Sequence, residues 1–225
     1  MKQTINLGAY GWRHSHWSTS FYPEDLPAEG DEDWRLAYYS NEFDTVLVPA
    51  DYWQGNCLQA GLVNDCEEWL DSVHEDFQFF VECHASMFDS VSLADLTEAL
   101  KILAPQLSAL VLLDKNQQDS DAIRPDTVCP DDIKQQFIKL ADALAVDVFA
   151  LDPASDIRSN AQSAFAFIED ELSDLRSTRA YVEQYAAQMN DDEANVSQAT
   201  IIVHHPQLQA GNLSKFRSVL EIMGY

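Results

Sequence analysis

Short apolar runs alternate with stretches of helical periodicity along the chain, and few folds accept that pattern. The runs are 5–10, 45–48, 77–81, 107–113, 146–151 and 200–203. Each is continuously apolar rather than alternating, as expected of parallel strands covered on both faces. Between them, residues fall at helical spacing. Trp34, Leu36, Ala37 and Tyr38 mark a first helix, and Asn64 or Asp65 caps a second through Trp69 to Val73. Ser92 is placed to cap a third that stops before Pro105. Pro130 opens a fourth, with Phe137, Leu140 and Leu144 on one face. A long helical stretch is expected from about Asn160 to Met189, broken once near Asp174. A last helix runs from Leu213 to Met223, with Gly224 as its stop.

Repeated strand-then-helix units with right-handed crossovers wind into an open sheet or close into a barrel. The first strand ends in Gly-Ala-Tyr-Gly-Trp, which is not the Gly-x-Gly-x-x-Gly turn of a dinucleotide-binding sheet. This favours an α/β barrel of parallel strands. Six readable strands fall short of the usual eight. The barrel is therefore expected to be incomplete or irregular, with the helical segment near 160–189 covering the gap. The 225 residues are expected to form one domain over 1–225. A core of that size buries roughly 70% of the unfolded surface and needs no disulfide or structural metal.

The charge narrows the range of partners. Thirty-eight acids against thirteen bases leave a net charge of −25. Such a chain repels phosphate backbones and anionic lipid surfaces, so nucleic acid and membrane are not expected as partners. No run reaches the ~18 apolar residues of a membrane-spanning helix. The opening residues lack the apolar core of a signal peptide. The four cysteines, Cys57, Cys66, Cys83 and Cys129, show neither Cys-x-x-Cys nor thiolate zinc spacing. The expectation is a cytoplasmic protein with reduced thiols. Its oligomeric state is left open.

Two segments carry a resemblance. The first is GAYGWRHSHWSTSFYPEDLP, in which Gly11, Trp12, Trp17, Phe21, Tyr22, Pro23, Leu26 and Pro27 occur in order. The second is WRLAYYSNEFDTVLVPADYW, with Leu36, Tyr38, Tyr39, Phe43, Thr45, Val46 and Tyr52. Together they resemble the opening of the YecE-like family, domain of unknown function 72. The resemblance is clear over residues 8–54, looser through LAPQLSALVLL and faint in VHHPQLQAGNLSKF. It implies a TIM-barrel-like fold and no particular reaction. There are departures. The family's second strand reads Val-Glu-x-Asn, where this chain has Leu47 and Pro49. A basic residue of the family's third strand is matched by Glu82 or Cys83.

In a (β/α) barrel the site lies at the carboxyl ends of the strands. Those ends hold Tyr10, Trp12, Arg13 and His14, then Asp51, Tyr52 and Trp53, then Glu82 and His84, Asp114, Asp152, and finally His204 and His205. Imidazoles and carboxylates at one mouth suit either a Zn²⁺ or Mn²⁺ ion or a general acid and base. Neither a metal nor any other cofactor is assigned. Successive side chains alternate along a strand, so at most one of His204 and His205 faces inward. His84, Asp114, Asp152 and His204 are the expected catalytic residues. Tyr10, Trp12, Arg13, His14, Asp51, Tyr52, Trp53 and Glu82 are the expected ligand contacts. Cys83 beside His84 is a weak thiol candidate, since the two point in opposite directions.

Two function classes follow. One is a hydrolase, lyase or isomerase, metal-assisted or not, acting on a small or carbohydrate-like substrate. The other is a divergent, non-catalytic barrel that binds a ligand or a protein. The histidines favour the first, and the lost polar pair at Leu47 and Pro49 favours the second. A third class, nucleic-acid processing, conflicts with the charge.

Acids crowd at Glu24 to Asp33, Asp65 to Asp76, Glu169 to Asp174 and Asp191 to Glu193. At 0.15 M salt the Debye length is about 8 Å, so these clusters are only partly screened from one another. Added salt should therefore raise the melting temperature, and a mobility-shift assay at low salt should show no DNA or RNA binding. A melting temperature that falls across a salt series overturns the repulsion argument.

Overall fold

The apolar runs are strands, and most of the periodic stretches are helices. The computed structural model describes residues 4–24, 33–53, 61–84, 92–113, 131–151, 157–159, 163–191 and 198–225. The described strands are β1 (Ile5–Tyr10), β2 (Thr45–Val48), β3 (Gln78–Cys83), β4 (Leu107–Leu113), β5 (Asp147–Leu151), β6 (Ile157–Ser159), β7 (Ser163–Ile168) and β8 (Gln198–Val203). The described helices are α1 (Asp33–Ser40), α2 (Gly61–Asp71), α3 (Leu93–Leu100), α4 (Asp131–Leu144), α5 (Leu175–Asp191) and α6 (Ala210–Met223). Ser92 caps α3 by accepting from the Asp95 amide at 3.2 Å. Gly224 ends α6 with φ at 97°, a conformation that glycine adopts without steric cost.

The strands form one sheet in the order β5-β4-β3-β2-β1-β8-β7-β6. Every pairing is parallel except that of the short β6, which runs antiparallel to β7. Seven parallel strands thus curl into a nearly closed barrel, a TIM-barrel-like fold with one seam left open between β5 and the β6–β7 pair. The expected irregularity is present, but its details differ from the sequence reading. The stretch read as helix from Asn160 to Met189 is a strand followed by a helix. The strand, Ser-Ala-Phe-Ala-Phe-Ile, has a period of two, with Ala164 and Ala166 on one face and Phe165 and Phe167 on the other. Alanine's helix propensity is overridden by pairing along the full length of β8. This strand, with β6 alongside it, forms one side of the gap.

Side-chain alternation divides the core in two. Inward positions hold Leu47, Phe80, Ala109, Val111, Phe149, Phe165 and Ile202, which pack together inside the ring. Outward positions such as Leu7, Val46, Phe79, Leu110 and Ile201 join the larger core beneath the helices. The inner group also bridges the seam. Phe149 and Phe165 stack with centroids 4.9 Å apart and planes 20° from parallel, and Phe80 lies 5.3 Å from Phe165. Ser163 Oγ donates to the Asp147 carboxylate across the same gap.

One residue explains how tightly β1 and β2 meet. A Cβ on Gly8 would stand 2.1 Å from the Thr45 carbonyl oxygen, closer than any side chain tolerates. The Tyr39 hydroxyl from α1 is inserted beside this contact. It donates to Thr45 O at 2.9 Å and accepts from the Ala9 amide at 2.8 Å. A helix side chain thereby replaces part of the β1–β2 ladder.

Because the seam is held by side chains, Phe165→Ala should act there most strongly. Phe165 is fully buried, and truncating such a residue costs about 3–5 kcal/mol. Denaturant unfolding should show a loss of that order, with amide exchange quickening in β5 and β7 before β1 and β2. Uniform quickening across the sheet would contradict this role for the stack.

Candidate functional site

The parallel strands bring their carboxyl ends to one mouth, and the residues following β1, β3 and β8 meet there. At its centre is Glu82, whose side chain is 0% exposed. A carboxylate removed from water needs a hydrogen bond for each of its oxygens. Tyr10 Oη donates to Oε2 at 2.5 Å, and the Ala50 amide donates to the same oxygen at 2.8 Å. His84 Nε2 lies 2.9 Å from Oε1. An ionised carboxylate only accepts, so this imidazole nitrogen carries the proton. The Glu82 carbonyl in turn accepts from the Trp53 indole at 3.2 Å. Three neighbouring strand ends are tied to one side chain. Burial, followed by the charge of Glu82, holds the Tyr10 hydroxyl far above the usual phenol range, so it stays a donor.

His204 follows β8 and turns inward, its ring 4.4 Å from that of Tyr10 and 5.7 Å from Phe167. Its Nδ1 is 3.7 Å from Glu169 Oε1. His205 turns the other way, and its Nδ1 accepts from the Gln207 amide at 3.1 Å.

Beyond β1 the chain changes direction at Gly11, whose φ of +76° lies in the left-handed region. A Cβ there would stand 2.6 Å from the Tyr52 hydroxyl. That hydroxyl accepts from the Arg13 amide at 2.9 Å, and the Arg13 guanidinium lies over the Tyr52 ring at 4.2 Å. After this bend Trp12 is directed into the outer core, packed against Tyr52 and Trp69. Its indole Nε1 is buried and makes no hydrogen bond. His14 stacks on Trp17 at 4.2 Å and lies 5.5 Å from His16. Its Nε2 is shut off from solvent and makes no hydrogen bond. His16 is tied elsewhere, its Nε2 donating to Leu208 O at 2.6 Å.

The structure therefore brings together Tyr10, Glu82, His84 and His204, while His14 packs on Trp17 and His16. Trp12 and Trp53 are buried in the shell beneath the helices. Asp51 is exposed, in the short turn Ala50–Tyr52. Asp114 and Asp152 lie outside the described residues. Cys83 faces the helices, opposite to Glu82. Among the described residues no three of His, Cys, Asp and Glu come together as ligands for an ion. No described helix is long and apolar enough to cross a membrane. Sequence reasoning did not find Phe167 or Glu169 as site residues, because the first lies in, and the second directly follows, the strand read as helix. The period-two Ala-Phe alternation was the available signal.

Burial lowers the pKa of His14 from 6.5 to about 4, with His16 and His204 adding smaller like-charge effects. The unfolded chain binds a proton at this residue before the folded chain does. Stability from His14 is thus complete above about pH 6.5 and is lost as pH falls towards 4. The loss is on the order of 3 kcal/mol at most. His14→Gln should flatten this part of the acid-unfolding curve, and an unchanged slope between pH 6.5 and 4 would show that His14 is not held neutral.

No curated protein matches the chain. Two solved structures share its architecture. A DUF72 family protein from Thermotoga maritima superposes with a TM-score of 0.57 at 13% identity, covering 97% of this chain and 100% of the other. One from Enterococcus faecalis V583 gives 0.52 at 11% identity, covering 98% and 97%. At such identities the likeness concerns the fold alone. The sequence match is separate: the family model "Protein of unknown function DUF72" aligns with residues 6–183. That span is most of the chain and includes the Gly-Trp opening, the Tyr39 helix and Glu82, so the protein belongs to the DUF72 family.

Proposed function

We propose that the chain is an enzyme of general acid–base type, acting on a small, carbohydrate-like molecule at the carboxyl ends of the strands. One observation carries this reading. A fully buried carboxylate, Glu82, orients a partly exposed imidazole, His84, at the place where barrels position reacting groups. A carboxylate that fixes the tautomer of a histidine and lies against the imidazolium formed on proton uptake is the second half of a general-base pair. His84 exchanges the proton, Glu82 orients and charge-balances it, and Tyr10 holds Glu82 from the other side. His204 stands at the mouth as a second imidazole. Asp114 and Asp152 follow β4 and β5 in sequence and are the remaining catalytic candidates. Arg13, Asp51 and Tyr52 are candidate ligand contacts on the rim.

The second reading, a barrel that binds a ligand without turning it over, is favoured by Leu47. This residue fills the apolar interior where the resembling family carries a glutamate.

The two readings separate in one experiment. The purified chain is incubated with a panel of aldoses, ketoses and their phosphates and followed by mass spectrometry, beside His84→Asn and Glu82→Gln. The enzyme reading expects turnover by the parent and a loss of about 10²-fold or more in His84→Asn. Binding without turnover selects the second reading. Turnover that survives both substitutions removes His84 and Glu82 from the mechanism.

A further inference from the structure

The end of the barrel opposite the mouth is not packed like an ordinary barrel base. Side chains alternate along a strand, so the residues two positions before Leu47, Phe80 and Ile202 share their inward face. These are Thr45, Gln78 and Thr200, with Gln198 two positions further back. On β1 the face that carries Tyr10 also carries Asn6. Four adjacent strands, β8, β1, β2 and β3, therefore turn from apolar to polar on the inside, where barrels ordinarily place bulky branched residues. Hydrogen bonds fix this polar layer. Asn6 Nδ2 donates to Gln78 Oε1 at 3.0 Å, and Thr45 Oγ1 donates to Gln78 O at 3.0 Å. The Gln78 amide donates to Asp44 O at 2.9 Å, which ties the layer to the residue before β2.

A cavity of about 480 Å³ opens on this layer, lined by Asn6, Gln78 and Gln198 from the strands and by Thr4, Asp44 and Asp76 around them. Small-molecule sites have volumes of roughly 300–1,000 Å³. We propose that this cavity is a second ligand site, separate from the mouth, and that its ligand is a small aliphatic ammonium compound. The lining contains no Lys, Arg or His, so nothing in it balances an anion. It supplies two carboxylates, which only accept hydrogen bonds, together with amide and hydroxyl oxygens. An ammonium group only donates, and its bonds to carboxylates are charge-assisted. No hydrogen bond within the described residues uses the Asp76 carboxylate or the Gln198 amide. The Asp44 carboxylate has His74 Nε2 at 4.0 Å, a distance that leaves its oxygens free for a closer donor.

A bare divalent ion fits this lining less well. Such an ion takes about six to eight oxygen ligands at short range, and among the described residues no three of His, Cys, Asp and Glu come together for one. The net charge of −25 attracts cations to the whole surface. That field is shared by every acid, whereas the cavity adds position: a floor held by the Asn6–Gln78 bond and carboxylates at its rim. The inference does not depend on the acid–base reading, because no residue of the mouth lines this cavity.

The test titrates the full ¹⁵N-labelled chain with putrescine, at about 0.15 M salt so that distant charges are screened. The side-chain amide signals of Asn6, Gln78 and Gln198 should shift together and saturate as one site. Asp44 and Asp76 are exposed, so Asp44→Asn and Asp76→Asn leave the core untouched. Each should weaken binding by about tenfold or more, as expected for the loss of a hydrogen bond to a charged group. Asp142→Asn removes the same charge from an exposed position of α4 and should change affinity less than twofold. Weakening by Asp142→Asn equal to that of the cavity variants reduces the effect to the general field and overturns the site. Equal affinity for erythritol overturns the cationic class, and equal affinity for Mg²⁺ overturns the organic one. Shifts at His84 and His204 in place of the three amides overturn the location. No saturable shift with putrescine overturns the proposal, and the reading of the mouth stands in every case.

Discussion

Everything at the mouth stands on a small group of aromatic side chains inside the barrel. The strand ring is not closed by its own hydrogen bonds, since β5 and the β6–β7 pair face each other across a seam. Phe80, Phe149 and Phe165 span that gap by ring contact. Such contacts contribute about 0.5–1.5 kcal/mol each beyond area burial and are less directional than a backbone ladder. The ring can therefore close without the strand stagger that an eighth parallel strand would impose. Leu47 and Ile202 complete the same packing, and Tyr10 lies on top of it as the floor of the mouth.

Above this floor the chemistry changes within one residue of each strand. Glu82 is two positions beyond Phe80 and therefore on the same inward face, but it is a carboxylate without contact to water. Its retention requires donors, and these come from different elements: the Tyr10 hydroxyl from β1, the Ala50 amide beyond β2 and the His84 ring beyond β3. Removing one donor would strand a buried charge, which is far costlier than losing an exposed pair. The positions of Tyr10, Ala50 and His84 are thus coupled through one side chain, and an orientation set at Glu82 is imposed on an imidazole that reaches solvent.

Much of the frame was legible in the residues. Three strands, 5–10, 45–48 and 107–113, have the ends that their apolar runs mark, because strands covered on both faces are mostly apolar along their whole length. The miss at β7 has the opposite cause. Its alanines satisfy helix propensity, and only the presence of β8 alongside makes the strand preferable. For the candidate site, position at a strand end was readable and direction was not. Gly11 adopts positive φ, and the turn it makes sends Trp12 into the outer core although it follows the strand directly. His14 was visible as a histidine after β1, but its buried, unpartnered nitrogen depends on packing against Trp17, which no spacing rule shows.

The pairing of β1 with β8 has a consequence for the order of folding. These are the first and last strands of the sheet in sequence, yet they sit side by side in its middle, in register from Ile5 with Ala199 to Ala9 with Val203. A contact between such distant segments carries a large loop-closure entropy, and chains dominated by such contacts fold slowly. The hairpin of β6 and β7, by contrast, joins strands that are near neighbours in sequence. Two partial sheets, β1 to β5 on one side and β6 to β8 on the other, can each form from local pairings. They become a barrel when β1 docks on β8, so the last step of assembly occurs opposite the seam rather than at it.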